Sequence, residues 1–478
     1  MLAPDLSLCR PRIACLALAL ACAANVQAAS FASEPHGKAQ PAGSTEVEDA
    51  AVDGTAPAPE AAPTADTDTG LKWSYGWKMW HGLDVSASRP TGIETGPNAL
   101  PILNLEEVKF AGSLGGRIEV DAAAFDANGS LPPMNNGFAL RRARLTAKGE
   151  SIFGVGYRYR IDLGYASGGF TVTQAYVEIP GIRYLGTLEF GQFTPPVGLA
   201  LITSSWDIAF MEPAAPLQAI APPPQPGVQA SNTFLAKRGT WTLGMYAGDG
   251  ARNEYGSGSK RFRNVMGRAT WLAIDDMNAE RPSANRYLHL GASANTQHAS
   301  SGTIRYRSRP ESYIAPFVID TGTIDASRAA TLAAEVLWVD GAFSAQAEVI
   351  ASRIEDSASR TLNFRGGYAL ARWALTGESR SYDRDAGTPG RIVPLRNFGF
   401  GPDAGWGAFD AAVRVSYTDL SDGAVQGGSL TMLMTSLDWT LRPQLKCMFE
   451  LGSGRVRGAA SGNGSFILGQ LRLGVYFF

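Results

Sequence analysis

What most constrains this chain is a period of two. Segments of about ten residues, bounded by Gly, Asn, Asp and Pro clusters, place apolar and aromatic side chains on one face and polar ones on the other. Around Tyr157 the division is sharp: Tyr157, Tyr159, Ile161, Leu163 and Tyr165 alternate with Arg158, Arg160 and Asp162. Leu188 and Phe190, following Ile182 and Tyr184, alternate with Arg183, Thr187 and Glu189, and Phe409, Ala411, Val413, Val415 and Tyr417 with Asp410, Arg414, Ser416 and Thr418. Near the end Leu445, Cys447, Phe449 and Leu451 oppose Lys446 and Glu450, which turns the thiol toward the apolar side. A soluble sandwich would bury the aromatic face, whereas a membrane barrel turns it to lipid.

Past the first 28 residues no stretch approaches the roughly 18 consecutive apolar residues of a spanning helix, so strands must do any crossing. Residues 1–28 read as a signal peptide, with a short apolar run from Ile13 to Ala24 and small residues Val26 and Ala28 before the expected cut. Three of the four cysteines, Cys9, Cys15 and Cys22, fall inside it, so the exported chain keeps only Cys447 and forms no internal disulfide. Residues 29–70 are Ala, Pro, Thr, Asp and Glu with almost no large apolar side chains, an acidic linker expected to stay disordered. Residues 71–478 form the expected barrel domain. At roughly 25 residues per strand with its share of turn, they predict an all-β, transmembrane antiparallel barrel of about 16 strands.

Charge gives the barrel a direction. Residues 71–478 hold 39 Lys and Arg against 35 Asp and Glu, and 32 of the 39 are Arg, so the folded part is cationic although the whole chain carries −2. Cationic walls attract anions, and the planar guanidinium fork fits phosphate or carboxylate oxygens. Arg142, Arg144, Thr146 and Lys148 fall on one face, as do Arg158 and Arg160, giving a cationic strip that either lines an anion path or pairs across strands with Asp162, Glu178 or Glu189. Strict alternation puts Arg141 on the opposite face unless a bulge intervenes. Arg305, Arg307 and Arg309 alternate with Tyr306 and Ser308 and share one face of any extended segment. Arg252, Lys260, Arg261 and Arg263 sit in a Gly/Ser-rich stretch that could gather anions at a mouth. Trp241, Trp271, Trp338, Trp373 and Trp439 recur at intervals expected of interfacial belts.

Several phrases, spread from about residue 138 to the end, resemble the phosphate-selective porin O and P family. They are Phe138-Ala-Leu-Arg-Arg-Ala-Arg-Leu145, Leu188-Glu-Phe-Gly-Gln-Phe-Thr-Pro-Pro196, the segment from Ser205 to Glu212, Arg309-Pro-Glu, Leu375-Thr-Gly-Glu-Ser-Arg-Ser-Tyr382 and Gly405-Trp-Gly-Ala-Phe-Asp410. The resemblance implies a homotrimer of 16-stranded barrels in the bacterial outer membrane, each with a third loop folded inward as a constriction. Anions would pass along an arginine ladder, here most similar to Arg142 and Arg305, Arg307 and Arg309, toward constriction lysines. One departure stands out: residues 194–231 contain no Lys or Arg, and the Pro-rich Ala221-Pro-Pro-Pro-Gln-Pro226 makes that loop stiff and largely neutral. Broad anion preference is therefore the expectation, with phosphate or polyphosphate as candidate solutes.

Competing readings are an enzyme and a structural or adhesive barrel without transport. Beyond the linker only His81, His289 and His298 are available, with no nucleophile motif, metal-spaced His pair or phosphate-cradling loop, so an enzyme is not expected and neither is a cofactor. The adjacent Asp275 and Asp276 read as a turn. A patch for nucleic acid is not expected either. Expected partners are outer-membrane lipid and lipopolysaccharide, small anions such as phosphate, and the barrel assembly machinery reading Phe477 or Phe478.

Overall fold

In the computed structural model the described residues are 72–78, 82–88, 108–153, 155–166, 169–248, 263–277, 282–299, 302–402 and 404–477. The expected signal peptide (1–28) and the expected linker (29–70) lie outside them, as do Leu71, Arg252, Lys260, Arg261 and Phe478.

In chain order the elements are β1 (Lys72–Lys78), β2 (Gly82–Ser88), β3 (Val108–Ala127), β4 (Gly137–Phe153), β5 (Val155–Ala166), β6 (Gly169–Ile182), β7 (Gly186–Phe193), α1 (Leu199–Ile202), α2 (Ala215–Ile220), β8 (Gln225–Phe234), β9 (Gly239–Tyr246), β10 (Asn264–Asp276) and β11 (Arg286–His298). There follow the two-residue ladders β12 (Thr303–Ile304), β13 (Arg307–Ser308) and β14 (Ile319–Asp320), then β15 (Ile324–Asp340), β16 (Phe343–Asp356) and β17 (Thr361–Ala374). The ladders β18 (Tyr382–Asp383) and β19 (Thr388–Pro389) precede β20 (Ala408–Asp422), β21 (Val425–Arg442), β22 (Leu445–Ala459) and β23 (Gly464–Phe477).

Sixteen of these strands close one antiparallel barrel, because β23 hydrogen-bonds back to β3 from Phe466 opposite Ala127 to Phe477 opposite Gly116. Closure leaves no edge, which a sheet in lipid requires. The wall starts at Val108 rather than Leu71: β1 and β2 form a hairpin beside the first half of β3, with Leu83 opposite Leu114 and Ser88 opposite Lys109. That hairpin continues the edge where β23 stops.

Alternation decides the faces as expected. Ile161 and Leu163 are each 43% exposed on the outer wall while Asp162 between them is fully buried, and Val415 is 52% exposed beside buried Arg414 and Ser416. Phe449 and Leu451 face out, Lys446 and Glu450 in. One stretch departs from this: Arg183 and Tyr184 form the turn between β6 and β7, with Tyr184 at φ 65°, so the alternation restarts at Gly186. The acidic pair at Asp275 and Asp276 ends β10 rather than forming a turn.

The C-terminal end of β23 fixes the periplasmic side, since barrel termini lie there with short turns while the long loops face outward. One connection breaks that rule. The segment 375–407, between β17 and β20, is long and lies at the periplasmic end.

Candidate functional site

Three segments fold into the barrel and define the passage. The third outer loop, 194–224, turns inward at Gly198, whose φ of 77° suits glycine and whose added Cβ would lie 3.0 Å from Glu348 Oε2. That closeness is what the loop uses: the Leu199 and Ala200 N–H groups donate to the Glu348 carboxylate at 2.7 and 2.8 Å. Phe210, Leu217 and Ile220 then pack into an apolar cluster with Ile350, Tyr368 and Met434 of the inner wall. Gly366 on β17 makes the space, since a Cβ there would meet Pro216 Cβ at 2.5 Å. The interior is thus apolar where the loop docks and polar elsewhere, and period-2 patterning does not reveal that distinction.

The second segment, 302–323, bends in so that Glu311 is fully buried, accepting from Ser416 Oγ at 2.6 Å and the Ala215 N–H at 2.9 Å and pairing with Arg414. The third, 375–402, enters from the periplasmic side. Tyr382 meets His289 Nδ1 at 2.7 Å, and Arg268 Nη2 donates to the Gly387 carbonyl at 3.0 Å. Arg380 reaches the Asp207 carbonyl at 3.3 Å, and Arg391 lies 3.5 Å from the Asp207 carboxylate. Burial, with Arg372 nearby, pushes Arg380 down to about 10, and burial also pushes the Asp207 carboxyl up against the opposing pull of Arg391. The third loop therefore touches both other segments.

Five of the seven arginines singled out from sequence are paired with carboxylates. Arg142 bonds to Glu119; Arg144 lies 3.5 Å and Arg160 3.1 Å from Asp162, Arg158 2.8 Å from Glu178, and Arg305 2.5 Å from Asp320. Arg307 and Arg309 have no carboxylate partner among the described residues. They bracket the Phe317 ring instead, at 4.1 and 4.5 Å from its centroid, while Arg309 and Arg141 share Tyr313 at 5.6 and 4.4 Å. Arg305, Arg307 and Arg309 do share one face, opposite buried Tyr306 and Ser308, but on an inward-folded loop rather than a wall strand.

A bulge brings Arg141 in. The β3–β4 register skips between Glu119, opposite Arg142, and Val120, opposite Leu140, so consecutive arginines both point inward and Arg141 grips Glu212 of the third loop with its Nε at 2.6 Å. Arg141 thus joins the site, and strict alternation had put it on the other face. The cations then succeed one another: Arg305 acts on Arg307, Arg307 on Arg309, Arg309 faces Arg141, Arg142 faces Arg144, Arg144 faces Arg160, and Lys148 lies near both Arg160 and Arg391. Burial lowers Arg309, with Arg141 and Arg307 adding to it, whereas the hydrogen bond that Arg305 donates to Asp320 raises Arg305. Repulsion among cations held this close is relieved by a passing anion.

Among the described residues no group of His, Cys, Asp and Glu is placed to hold a metal. Trp271, Trp338, Trp373 and Trp439 lie near the periplasmic ends of their strands, as an interfacial belt should.

Comparison with known proteins agrees with this architecture. The chain matches the family Phosphate-selective porin O and P over residues 113–477. Porin O of Pseudomonas aeruginosa is 28% identical over 333 residues, covering 63% of this chain and 70% of that protein. An uncharacterized protein of Caulobacter vibrioides is 27% identical over 356 residues, covering 72% and 68%. In fold, the anion-selective porin from Comamonas acidovorans superposes with a TM-score of 0.50 at 10% identity, over 77% of this chain and 100% of that one. A family match across nearly the whole closed barrel settles its place: the chain belongs to the phosphate-selective porin O and P family and is a porin of the bacterial outer membrane.

Proposed function

We propose that anions cross this barrel by stepping between the cations that descend from Arg305, Arg307 and Arg309 through Arg141, Arg142 and Arg144 to Arg160, Lys148 and Arg391. The observation that carries this reading is that Arg307 and Arg309, at the outward-facing start of the series, are held over aromatic rings and have no carboxylate partner among the described residues. An ion must be recruited yet released, so several weak sites serve better than one deep pocket. The paired arginines below supply that moderation, since each is already partly neutralised. Arg142, Arg144 and Arg158 also tie β3, β4, β5 and β6 together, which supports a double role as wall and path for Arg142 and Arg144.

Phosphate is the proposed preferred solute because the family and the guanidinium fork both favour it. The third loop's single acid pair, Asp207 and Glu212, with no cation of its own, favours broad anion passage as the second reading. We further propose a homotrimer, contact with outer-membrane lipid and lipopolysaccharide, recognition of Phe477 or Phe478 by the assembly machinery, and no catalytic activity. The test is the reversal potential across a planar bilayer in a potassium chloride gradient, with and without phosphate, for the wild type and for Arg305, Arg307 and Arg309 changed to Ala. Anion preference and phosphate block, both weakened in the variant, support the path. Anion preference without block leaves a general anion porin, and cation preference sinks the proposal.

A further inference from the structure

The outer wall of the barrel is electrically two-sided. The described outward positions of β4–β9 carry no Lys or Arg in their upper halves: Phe138, Leu140, Phe170, Val172, Phe190 and Val228 are typical, and exposed Arg263 at the head of β10 is the first cation met beyond them. On β15–β22 the same level carries Arg328, Arg353, Arg365, Arg455 and Arg457, all exposed. Their registers make one patch. Arg365 lies opposite Asp419, Asp419 opposite Ser429 and Ser429 opposite Arg457; Arg328 lies opposite Glu355; Arg353 opposite Asn363. None of the five is ion-paired among the described residues, and only Arg353 makes a side-chain hydrogen bond, to Thr361 Oγ1 at 3.3 Å. Glu355, Asp419 and Asp422, which accepts from Asn363, are the acids among them, and five arginines against three carboxylates keep an excess of positive charge.

Height identifies what such charges meet. On β15 Arg328 stands ten residues from Trp338, and on β16 Arg353 stands ten residues from Phe343, its neighbour in the periplasmic aromatic belt. At about 3.3 Å per residue and a tilt of about 45°, ten residues rise about 23 Å, close to the roughly 25 Å apolar band of such barrels. The arginines therefore stand at the headgroup level of the outer leaflet, where a bare guanidinium meets whatever headgroup is present. Below this level the wall dips at Ala292, Ala294, Ala334 and Gly367 between the exposed side chains of Leu332, Val349 and Tyr417, which leaves room for acyl chains.

We infer that the β15–β22 wall is a binding surface for phosphorylated lipid headgroups of the outer leaflet. The side chains involved point away from the lumen, so this surface stands or falls independently of the anion path. Each arginine near an anionic headgroup should strengthen binding about fivefold.

The experiment uses the full-length protein purified in detergent, titrated by native mass spectrometry with a bis-phosphorylated, acylated diglucosamine lipid and with the same lipid freed of its phosphates. Arg365→Gln and Arg457→Gln should each weaken binding of the phosphorylated lipid about fivefold. The variant with all five arginines changed to Gln should no longer distinguish the two lipids. Arg286→Gln, at the periplasmic end, is the control and should bind as the wild type does. Potassium chloride conductance of each variant reports that the barrel has formed. Undiminished binding by the fivefold variant overturns the inference. So does a change in its subunit number, which would make this wall a subunit contact.

Discussion

Glu212 is the keystone of the third loop, and changing it to Gln is the most informative single perturbation. Its carboxylate takes Arg141 Nε at 2.6 Å and Nη2 at 3.0 Å on one side and Arg472 Nη2 at 2.9 Å on the other, so one buried acid joins the loop to both β4 and β23. Burial alone would raise this carboxyl, but Arg141, Arg142 and Arg472 outweigh it and hold it well below the usual carboxylate range. Removing one partner of a buried pair costs about 3–5 kcal/mol, because the remaining cations stay desolvated without compensation. Gln keeps the shape and some hydrogen bonding, which places the expected cost near the lower end, about 3 kcal/mol. That cost falls on the docked state of the loop, so its opening should become on the order of a hundredfold more frequent. The Met211 N–H, held by Glu450, and the Ala215 N–H, held by Glu311, report on it. Hydrogen–deuterium exchange at these two amides should accelerate by that factor while amides of β20–β22 stay protected. Unchanged exchange would refute the role of Glu212 and leave the loop held by its apolar face and Glu348. The pH dependence has a definite sign: a depressed acid stabilises fully above its unfolded value of about 4.3 and loses that contribution only as pH falls through the lower folded value. Protection of these amides in the wild type should accordingly persist at pH 4.

Other outcomes follow from the same contacts. Phe317→Leu keeps an apolar side chain but loses the ring shared by Arg307 and Arg309; at about 0.5–1 kcal/mol for each cation–ring contact, half-block by phosphate should need roughly five- to thirtyfold more phosphate, and Phe317→Trp should restore it. Gly366→Val should displace α2, since its Cβ would meet Pro216 at 2.5 Å, and strain the β17–β20 ladder at the Tyr417 carbonyl, 2.6 Å away, read as a changed single-channel conductance and a lower temperature at which the folded band is lost in heated gels. Tyr382→Phe removes the bond to His289 and should cost about 0.5–1.5 kcal/mol of anchoring of the periplasmic segment, seen as faster exchange in residues 380–390. Ile161→Arg, facing lipid, should cost about 2–4 kcal/mol and lower the amount of assembled barrel in outer-membrane fractions, whereas Thr435→Ser on the same kind of surface should not.

Much of this protein is legible in its sequence because period two is a strong instruction. Each strand of a closed barrel meets lipid on one side and protein or water on the other, so Ile161 and Leu163 announce their face without any partner being known. The strand number follows from length once the fold class is set, and the arginine excess announces the sign of the solute. Three things were decided only by the tertiary structure. Bulges reset the period, which is why Arg141 points inward beside Arg142 and why pairing along the wall cannot be counted residue by residue. Carboxylates distant in sequence choose which arginines are neutralised: Asp162 takes Arg144 and Arg160, Glu311 takes Arg414, and Arg307 and Arg309 are left to aromatic rings. The segments that fill the lumen are irregular, so no periodicity marks 302–323 or 375–402 as inward-folded; their positions depend on single buried contacts such as Ala215 with Glu311 and Tyr382 with His289, made between residues about a hundred positions apart. The alternating pattern therefore specifies the wall, and long-range pairing of buried charges specifies the passage through it.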